Sequence, residues 1–164
     1  MTNGLTHTEL VARAARWLRY SARIQDSWTG NPNGERQVRC GVVFAEMVSA
    51  AGETPDAIGW FNCGQCSILM ECKVSRSDFF ADQKKSFRRW PQYGVGRYRY
   101  YMTPPGLLKV EEVPDKWGLL EANGCQVRVV KIAQAFDEYS VAREVNMMFS
   151  GLRRVQVEVR TRCS

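Results

Sequence analysis

The segment I-L-M-E-C-K-V-S-R-S-D-F-F, residues 68–80, begins as an apolar run of the kind that forms a buried strand. Glu71 and Lys73 interrupt this run, and because side chains alternate along a strand they share one face while Cys72 points to the other. A buried charge costs several kcal/mol unless it is paired or bound to a metal. The segment therefore predicts a metal site or, as the alternative, an ion pair between Glu71 and Lys73 on a solvated strand.

A second strand precedes this segment and opens with Pro55-Asp56. A tight turn between the two strands would form a hairpin and bring Asp56 close to Glu71. Two neighbouring carboxylates repel each other unless a cation lies between them, and oxygen ligands suit Mg²⁺ or Mn²⁺. We therefore expect Asp56, Glu71 and the backbone carbonyl of Cys72 to bind such a metal ion. Lys73 would lie beside the ion and assist the attack of water on a phosphate.

Helical and strand patterns alternate along the rest of the chain, and residues 25–36 have the composition of a loop. The predicted helices cover residues 8–21, 79–89 and 137–152. The predicted strands cover residues 38–49, 56–61, 66–74, 98–103, 117–121, 126–130 and 155–159. This order predicts an α/β fold with a central mixed β-sheet flanked by helices. The length of 164 residues suits one domain, residues 1–164, with an N-terminal helix and a C-terminal helical extension.

The net charge of +6 fits either a soluble surface or a protein with an anionic partner, of which nucleic acid is the commonest. No apolar run approaches the roughly 18 residues of a membrane span. Residues 1–8 are polar and lack the apolar stretch of a signal peptide. We therefore expect no membrane association and a cytoplasmic location.

Cys63 and Cys66 form a C-x-x-C pair, which suggests a zinc clip in a DNA-binding module. A structural zinc site normally has four ligands, and the chain contains no second pair of this kind. His7, the only histidine, is isolated near the N-terminus and has no apparent catalytic role. The alternative is a tight turn that carries two cysteines without metal.

Basic and aromatic residues are interleaved between residues 76 and 101. Basic side chains neutralise phosphates, and aromatic rings stack on unpaired bases. The predicted DNA contacts are Lys84, Lys85, Arg88 and Arg89, with Arg76 and Gln83 beside them. The aromatic residues of this stretch are Trp90, Tyr93, Tyr98, Tyr100 and Tyr101. The alternative is a solvated helix followed by a core strand, with Tyr98 and Tyr100 on one face and Arg97 and Arg99 on the other.

Pro55-Asp56 followed by Glu71-Cys72-Lys73 resembles the PD-(D/E)xK nuclease superfamily, which has the restriction-endonuclease-like fold. The longer run E-C-K-V-S-R-S-D-F-F-A-D-Q-K-K, residues 71–85, is similar to MmcB-like DNA repair proteins and related small phage-encoded nucleases. The runs R-Y-R-Y-Y-M-T-P-P-G-L-L, residues 97–108, and P-D-K-W-G-L-L-E, residues 114–121, also resemble that group. The resemblance covers about residues 38–130.

This resemblance implies a restriction-endonuclease-like core and a Mg²⁺- or Mn²⁺-dependent DNA endonuclease of the bacterial cytoplasm, which could be phage-encoded. Asp56 and Glu71 match the metal-binding acids, and Lys73 matches the catalytic lysine. Glu46 lies where many members add a further acidic residue, although it could equally be an exposed strand glutamate. Gln83 and Lys84 lie on the helix whose N-terminal part flanks the site in this fold.

Two further expectations concern activity and partners. A catalytically inactive member of the same fold, which binds DNA or a protein partner, is the alternative to the enzyme. Intact Asp56, Glu71 and Lys73 favour the enzyme, because a pure binder does not require all three. The last predicted helix has an apolar face through which a homodimer could form, and the form of the nucleic acid substrate is left open.

Overall fold

The computed structural model describes residues 5–25, 34–50 and 52–162, with side chains described as far as residue 155. The helices are α1 (His7–Tyr20), α2 (Arg76–Gln83), α3 (Ser86–Arg89) and α4 (Val141–Arg162). The strands are β1 (Ala22–Gln25), β2 (Glu35–Val38), β3 (Val42–Ala45), β4 (Ala57–Phe61), β5 (Cys66–Cys72), β6 (Tyr98–Thr103), β7 (Gly118–Asn123) and β8 (Gln126–Lys131). Short 3₁₀ turns lie at Pro91–Tyr93 and Val110–Glu112.

A six-stranded sheet in the order β3-β4-β5-β6-β7-β8 forms the centre of the fold. Strands β5, β6 and β7 run parallel, and the remaining pairs in this sheet are antiparallel. Strands β1 and β2 form a separate antiparallel hairpin. The predicted α/β class, with a central mixed sheet flanked by helices, is therefore confirmed. No helix in the described part of the chain is long and apolar enough to cross a membrane.

Helix α1 covers one side of this sheet, which we call the first face. A capping box formed by Thr6 and Glu9 starts the helix, because the two side chains satisfy backbone amides that have no partner in the first turn. The helix buries an apolar stripe that includes Leu10, Ala14 and Leu18. Against this stripe pack strand residues Ile68, Met70, Tyr98, Tyr100, Met102 and Leu120.

Helices α2 and α4 contribute to the opposite side, the second face, where Phe79 and Met147 pack with apolar strand residues. The buried Glu144 ties α4 to the sheet, because its carboxylate accepts hydrogen bonds from the Ser67 hydroxyl at 2.6 Å and the Trp60 indole at 3.0 Å. It also accepts the Gly96 amide at 2.8 Å. Three donors satisfy this carboxylate, which would otherwise be costly to bury.

Three predicted elements are wrong. Residues 38–49 are not one strand, because the chain turns at Gly41, whose amide donates to the Trp60 carbonyl at 2.9 Å. The strand predicted at 155–159 is the continuation of α4, which begins at Val141 rather than at residue 137. The helix predicted at 79–89 is two helices, of which α2 is capped by Ser75. Strands β1 and β2 occupy both ends of the predicted loop, and residues 26–33 lie outside the described residues.

Candidate functional site

The hairpin of β4 and β5 places Asp56 opposite Glu71. Its register pairs Ala57 with Met70, and one further step along both strands aligns the two acidic residues. The Cys72 amide donates a hydrogen bond to Asp56 Oδ2 at 2.7 Å. Because β5, β6 and β7 are parallel, this position lies where all three strands have their carboxyl-terminal ends, and we call this end of the strands the sheet edge. The structure thus brings together the two acids that the sequence predicts as metal ligands.

Glu71 and Lys73 project from the same face of β5, while Cys72 packs into the core of the first face. Lys73 Nζ lies 2.9 Å from Glu71 Oε2. The Glu71 side chain is only 4% exposed and the Lys73 side chain 10%. The alternative of an ion pair on a solvated strand is therefore wrong in one respect, because the pair is buried.

Arg88 on α3 joins three carboxylates in the protein interior. Its guanidinium binds Glu71 Oε1 at 2.7 Å, Asp82 Oδ2 at 2.8 Å and the carboxylate of Glu53. The Arg88 side chain is 5% exposed, and its guanidinium lies over the Trp117 ring. The prediction that Arg88 contacts DNA is wrong, because its hydrogen-bonding capacity is used inside the protein. We call Glu53, Glu71, Lys73, Asp82 and Arg88 the charged cluster.

Asp82 on α2 completes this cluster. It accepts hydrogen bonds from Arg88 and, at 2.9 Å, from the Tyr101 hydroxyl, and it lies 3.6 Å from Lys73 Nζ. It also pairs with Lys85, three residues further along the chain, at 2.8 Å.

Burial and charge act in opposite directions on the pKa values of the cluster. Burial raises the pKa of the Glu71 carboxyl, and Arg88 and Lys73 oppose that rise. Burial alone would raise the pKa of Asp82, but Arg88 and Lys73 hold it well below its usual range. Burial would lower the pKa of Lys73, yet the Glu71 and Asp82 carboxylates raise it. Lys73 is therefore a cation at neutral pH.

His7, at the start of α1, reaches the same sheet edge. Its Nε2 atom lies 3.2 Å from Asp56 Oδ1, and its side chain is partly exposed. The expectation that His7 is isolated is therefore wrong. The contact joins residues that are far apart in the sequence, and no local pattern indicates it.

Glu46 follows β3 and lies at this edge as well. Its amide donates to the Asp56 carbonyl at 3.0 Å, and its backbone has a positive φ of 48°. The Glu46 side chain is exposed, which agrees with the alternative that Glu46 is an exposed glutamate. Burial chiefly raises the pKa of the Cys72 thiol, and the Asp56, Glu71 and Glu46 carboxylates add to the rise. Glu46 therefore contributes negative charge near the two acids from a solvent-exposed position.

The predicted DNA-binding residues separate into two groups. Lys84, Lys85 and Arg89 are exposed. Arg76 is exposed as well but forms an ion pair with Glu112, and Gln83 donates a hydrogen bond of 3.4 Å to the Glu112 carbonyl. These two side chains fasten α2 to the 3₁₀ turn at Val110–Glu112.

The aromatic residues of the stretch 76–101 fall into an exposed group and a buried group. Trp90 and Tyr93 are more than half exposed, whereas Tyr98, Tyr100 and Tyr101 are fully buried and cannot stack on bases. Arg99 is also buried, and it donates to the carbonyls of Gly96 and Pro91. The core-strand alternative for residues 98–101 is therefore the one that the structure supports.

No group of three or more His, Cys, Asp or Glu side chains within residues 5–25, 34–50 and 52–162 is arranged to hold a metal. In this part of the chain, Cys63 and Cys66 therefore have no set of further zinc ligands around them. Mg²⁺ requires fewer protein ligands than a structural zinc ion, because it keeps several waters and is commonly bound through one or two carboxylates. Asp56 and Glu71 supply two such oxygen donors and fit Mg²⁺ or Mn²⁺ in type. A metal ion would compete with Lys73 and Arg88 for the oxygens of Glu71.

Comparison with solved structures finds a similar fold in the SPO1766 protein of unknown function from Silicibacter pomeroyi, with a TM-score of 0.59. The two chains are 24% identical over an alignment that covers 93% of this chain and 90% of the other. At this identity the likeness shows a shared fold alone. No family model matches the sequence, and no curated protein matches it.

Proposed function

We propose that the protein is a Mg²⁺-dependent DNA endonuclease that hydrolyses phosphodiester bonds at the edge formed by Asp56, Glu71 and Lys73. The observation that carries this proposal is the register of the β4–β5 hairpin, which sets Asp56 opposite Glu71. Lys73 lies 2.9 Å from Glu71 on the same face. The resemblance of residues 55–56 and 71–85 to PD-(D/E)xK nucleases supports the same function.

A bound divalent cation would supply a Lewis acid for the phosphate oxygens and a water of lowered pKa. The residues of the chain have separate roles around it. The Cys72 amide holds Asp56 Oδ2, while Asp56 Oδ1 faces His7. Because its pKa is raised, Lys73 acts as a cation that stabilises negative charge on the phosphate rather than as a general base.

Exposed residues of α3 and its neighbours provide the proposed DNA surface. Lys84 and Arg89 form no ion pair with any carboxylate that the structure describes, so both charges are free to neutralise phosphates. Trp90 and Tyr93 follow directly, and their exposed rings can stack on unpaired bases.

One observation favours the alternative of a catalytically inactive protein that binds DNA or a protein partner. Both oxygens of Glu71 are already neutralised by Lys73 and Arg88, as expected for a structural ion network. A protein partner, including a second copy of the chain, would have an apolar stripe on α4 available. The exposed residues of that stripe are Val141, Val145, Phe149, Leu152 and Val155.

Cleavage assays separate the two functions. Duplex, single-stranded and branched DNA, and RNA, are incubated with Mg²⁺, Mn²⁺ or EDTA. We expect metal-dependent cleavage of DNA that falls at least about a hundredfold in Asp56→Asn. This substitution keeps the shape of a partly exposed side chain outside the charged cluster. Asp115→Asn, which changes an exposed aspartate away from the β4–β5 edge, is the matched control.

The outcome that contradicts the proposed site is equal cleavage by wild type and Asp56→Asn. DNA binding without cleavage of any substrate would instead support the inactive alternative. Glu71→Ala is a poor substitute for Asp56→Asn, because it leaves Lys73 and Arg88 buried without their shared partner. Loss of one partner of a buried ion pair costs about 3–5 kcal/mol, so lost activity could reflect unfolding.

A further inference from the structure

A basic groove lies on the first face, between α1, β1 and the edge strand β8. Its volume is about 620 Å³, within the range of ligand-binding sites. Arg13, Arg16, Arg23 and Arg128 line it together with Tyr20, and none of the described residues that line it carries a carboxylate. None of these residues belongs to the DNA surface proposed above.

The positive charge of the groove is only partly compensated. Arg13 and Arg16 form no ion pair with any carboxylate of the described residues. Arg23 lies 3.7 Å from Glu35, and both side chains are about half exposed. Arg128 alternates along β8 with Val127 and Val129, which pack on the first face, and it pairs with the buried Glu121 on the second face, so its charge is directed away from the groove. Exposed ion pairs contribute little, so Arg23 can exchange Glu35 for a stronger anion.

Two features prepare the groove for a ligand. Arg13 is oriented by hydrogen bonds to the backbone carbonyls of Gly124 and Glu9, and the Glu9 carboxylate attracts it without forming an ion pair within 4 Å. The Tyr20 side chain is 54% exposed, so an aromatic ring borders the arginines. A guanidinium cluster beside an exposed ring matches a ligand that carries both phosphates and bases.

One lining residue of the groove, Cys125, lies in the β7–β8 turn, at the same edge of the sheet as the candidate active site. Strands β5, β6 and β7 end at this edge, and β8 begins there after the turn beyond Asn123. Three strand spacings separate β5 from β8, which corresponds to about 14 Å. The groove lies on the first face, whereas α3 with its exposed basic residues lies on the second.

We propose that the groove binds a single strand of DNA, with its phosphates on Arg13, Arg16 and Arg23 and a base on Tyr20. The inference rests on the proposed function, because the groove would hold the strand that continues past the scissile phosphate. It makes DNA with an unpaired arm the preferred substrate, since Tyr20 can stack only on a base that is free of its complement.

Fluorescence anisotropy in EDTA tests the groove without cleavage. Labelled single-stranded and duplex oligonucleotides of equal length are titrated with protein over a series of salt concentrations. Arg16→Glu/Arg23→Glu should bind the single strand at least about tenfold more weakly. Its slope of log affinity against log salt should fall by about 1.4, or about 0.7 for each lost phosphate contact. Tyr20→Ala should weaken single-strand binding about tenfold at an unchanged salt slope.

The matched control is Arg39→Glu/Arg153→Glu, which makes the same change of net charge at exposed positions outside the groove. It should stay within about twofold of wild type. Circular dichroism checks that each variant is folded, which is expected because Arg16, Arg23 and Tyr20 are exposed.

Two outcomes overturn the inference. One is equal single-strand affinity of the groove variant and the control. The other is an equal loss of duplex and single-strand binding in the groove variant, which would show that the groove does not select an unpaired arm of DNA. Since no metal is present, loss of binding in the groove variant supports the groove even if the wild type cleaves nothing. Cleavage lost in Asp56→Asn supports the nuclease even if the groove fails.

Discussion

The two faces of the central sheet are built on different physical principles. The first face is almost wholly apolar, and its buried Tyr100 hydroxyl donates to the Arg23 carbonyl at 2.6 Å, so no charge is needed there. The second face buries three carboxylates and two cations of the charged cluster beside its apolar residues. Both faces belong to the same strands, because alternate side chains of β5 point to opposite sides.

This difference bears on function. A buried ion network is often no more stabilising than apolar side chains of the same volume. A gain in stability therefore does not explain why the second face contains the charged cluster. Ionisable groups with shifted pKa values are concentrated at functional sites, and the pKa values of Glu71 and Lys73 are raised while that of Asp82 is lowered.

The largest expected effect comes from removing the cation at the centre of the second face. Arg88→Met should lower the free energy of unfolding by about 3–5 kcal/mol, because it leaves three carboxylates without their shared partner. Urea denaturation measures the change. Arg89→Met, at the exposed neighbouring position, should stay within about 0.5 kcal/mol of wild type. Equal midpoints for the two variants would show that the cluster contributes no stability.

A smaller effect should depend on pH. The pKa of Asp82 is lower in the folded than in the unfolded protein, so its contribution is complete above the unfolded value near 3.8 and is lost as the pH falls further. Asp82→Asn should therefore cost about 2–3 kcal/mol at pH 7. The difference from wild type should shrink between pH 5 and pH 2, as measured by thermal unfolding. A difference that stays constant over this range would contradict the charged state of Asp82.

The smallest effect should come from the first face and should not depend on pH. Ile68→Val removes one methylene group from a fully buried side chain and should cost about 1 kcal/mol. The same thermal series from pH 7 to pH 2 measures it beside Asp82→Asn. A pH-dependent cost for Ile68→Val would mean that charges influence both faces, and the contrast between them would fail.

The sequence predicts the central strands well because they are short apolar runs bounded by turn residues. Strand β6 has the predicted bounds, and β4, β5 and β8 differ from prediction by a few residues at most. The errors occur where the local pattern fits two structures. Residues 155–159, V-Q-V-E-V, alternate as a strand does but continue a helix. The run 38–49 belongs to two different sheets, because contacts of Cys40 and Gly41 with distant residues turn the chain.

The candidate site shows the same limit. Asp56, Glu71 and Lys73 are found from spacing because they lie on one hairpin. The partners of the cluster were missed or misassigned, since Glu53 reaches Arg88 across 35 positions of the chain. A single sequence gives no sign of such a contact, so a buried arginine and an exposed arginine on one short helix have the same local pattern.

Because Cys72 is buried, its reaction with an alkylating reagent can be used to measure local opening of β5. Among the described cysteines, Cys63 and Cys125 are exposed, whereas Cys72 is covered and its thiol has a raised pKa. An alkylating reagent can reach Cys72 only when the strand that carries Glu71 and Lys73 opens locally. The rate of Cys72 modification therefore measures how often this part of the sheet opens locally. A divalent cation that bridges Asp56 and Glu71 would slow that rate, whether or not any phosphodiester is cut.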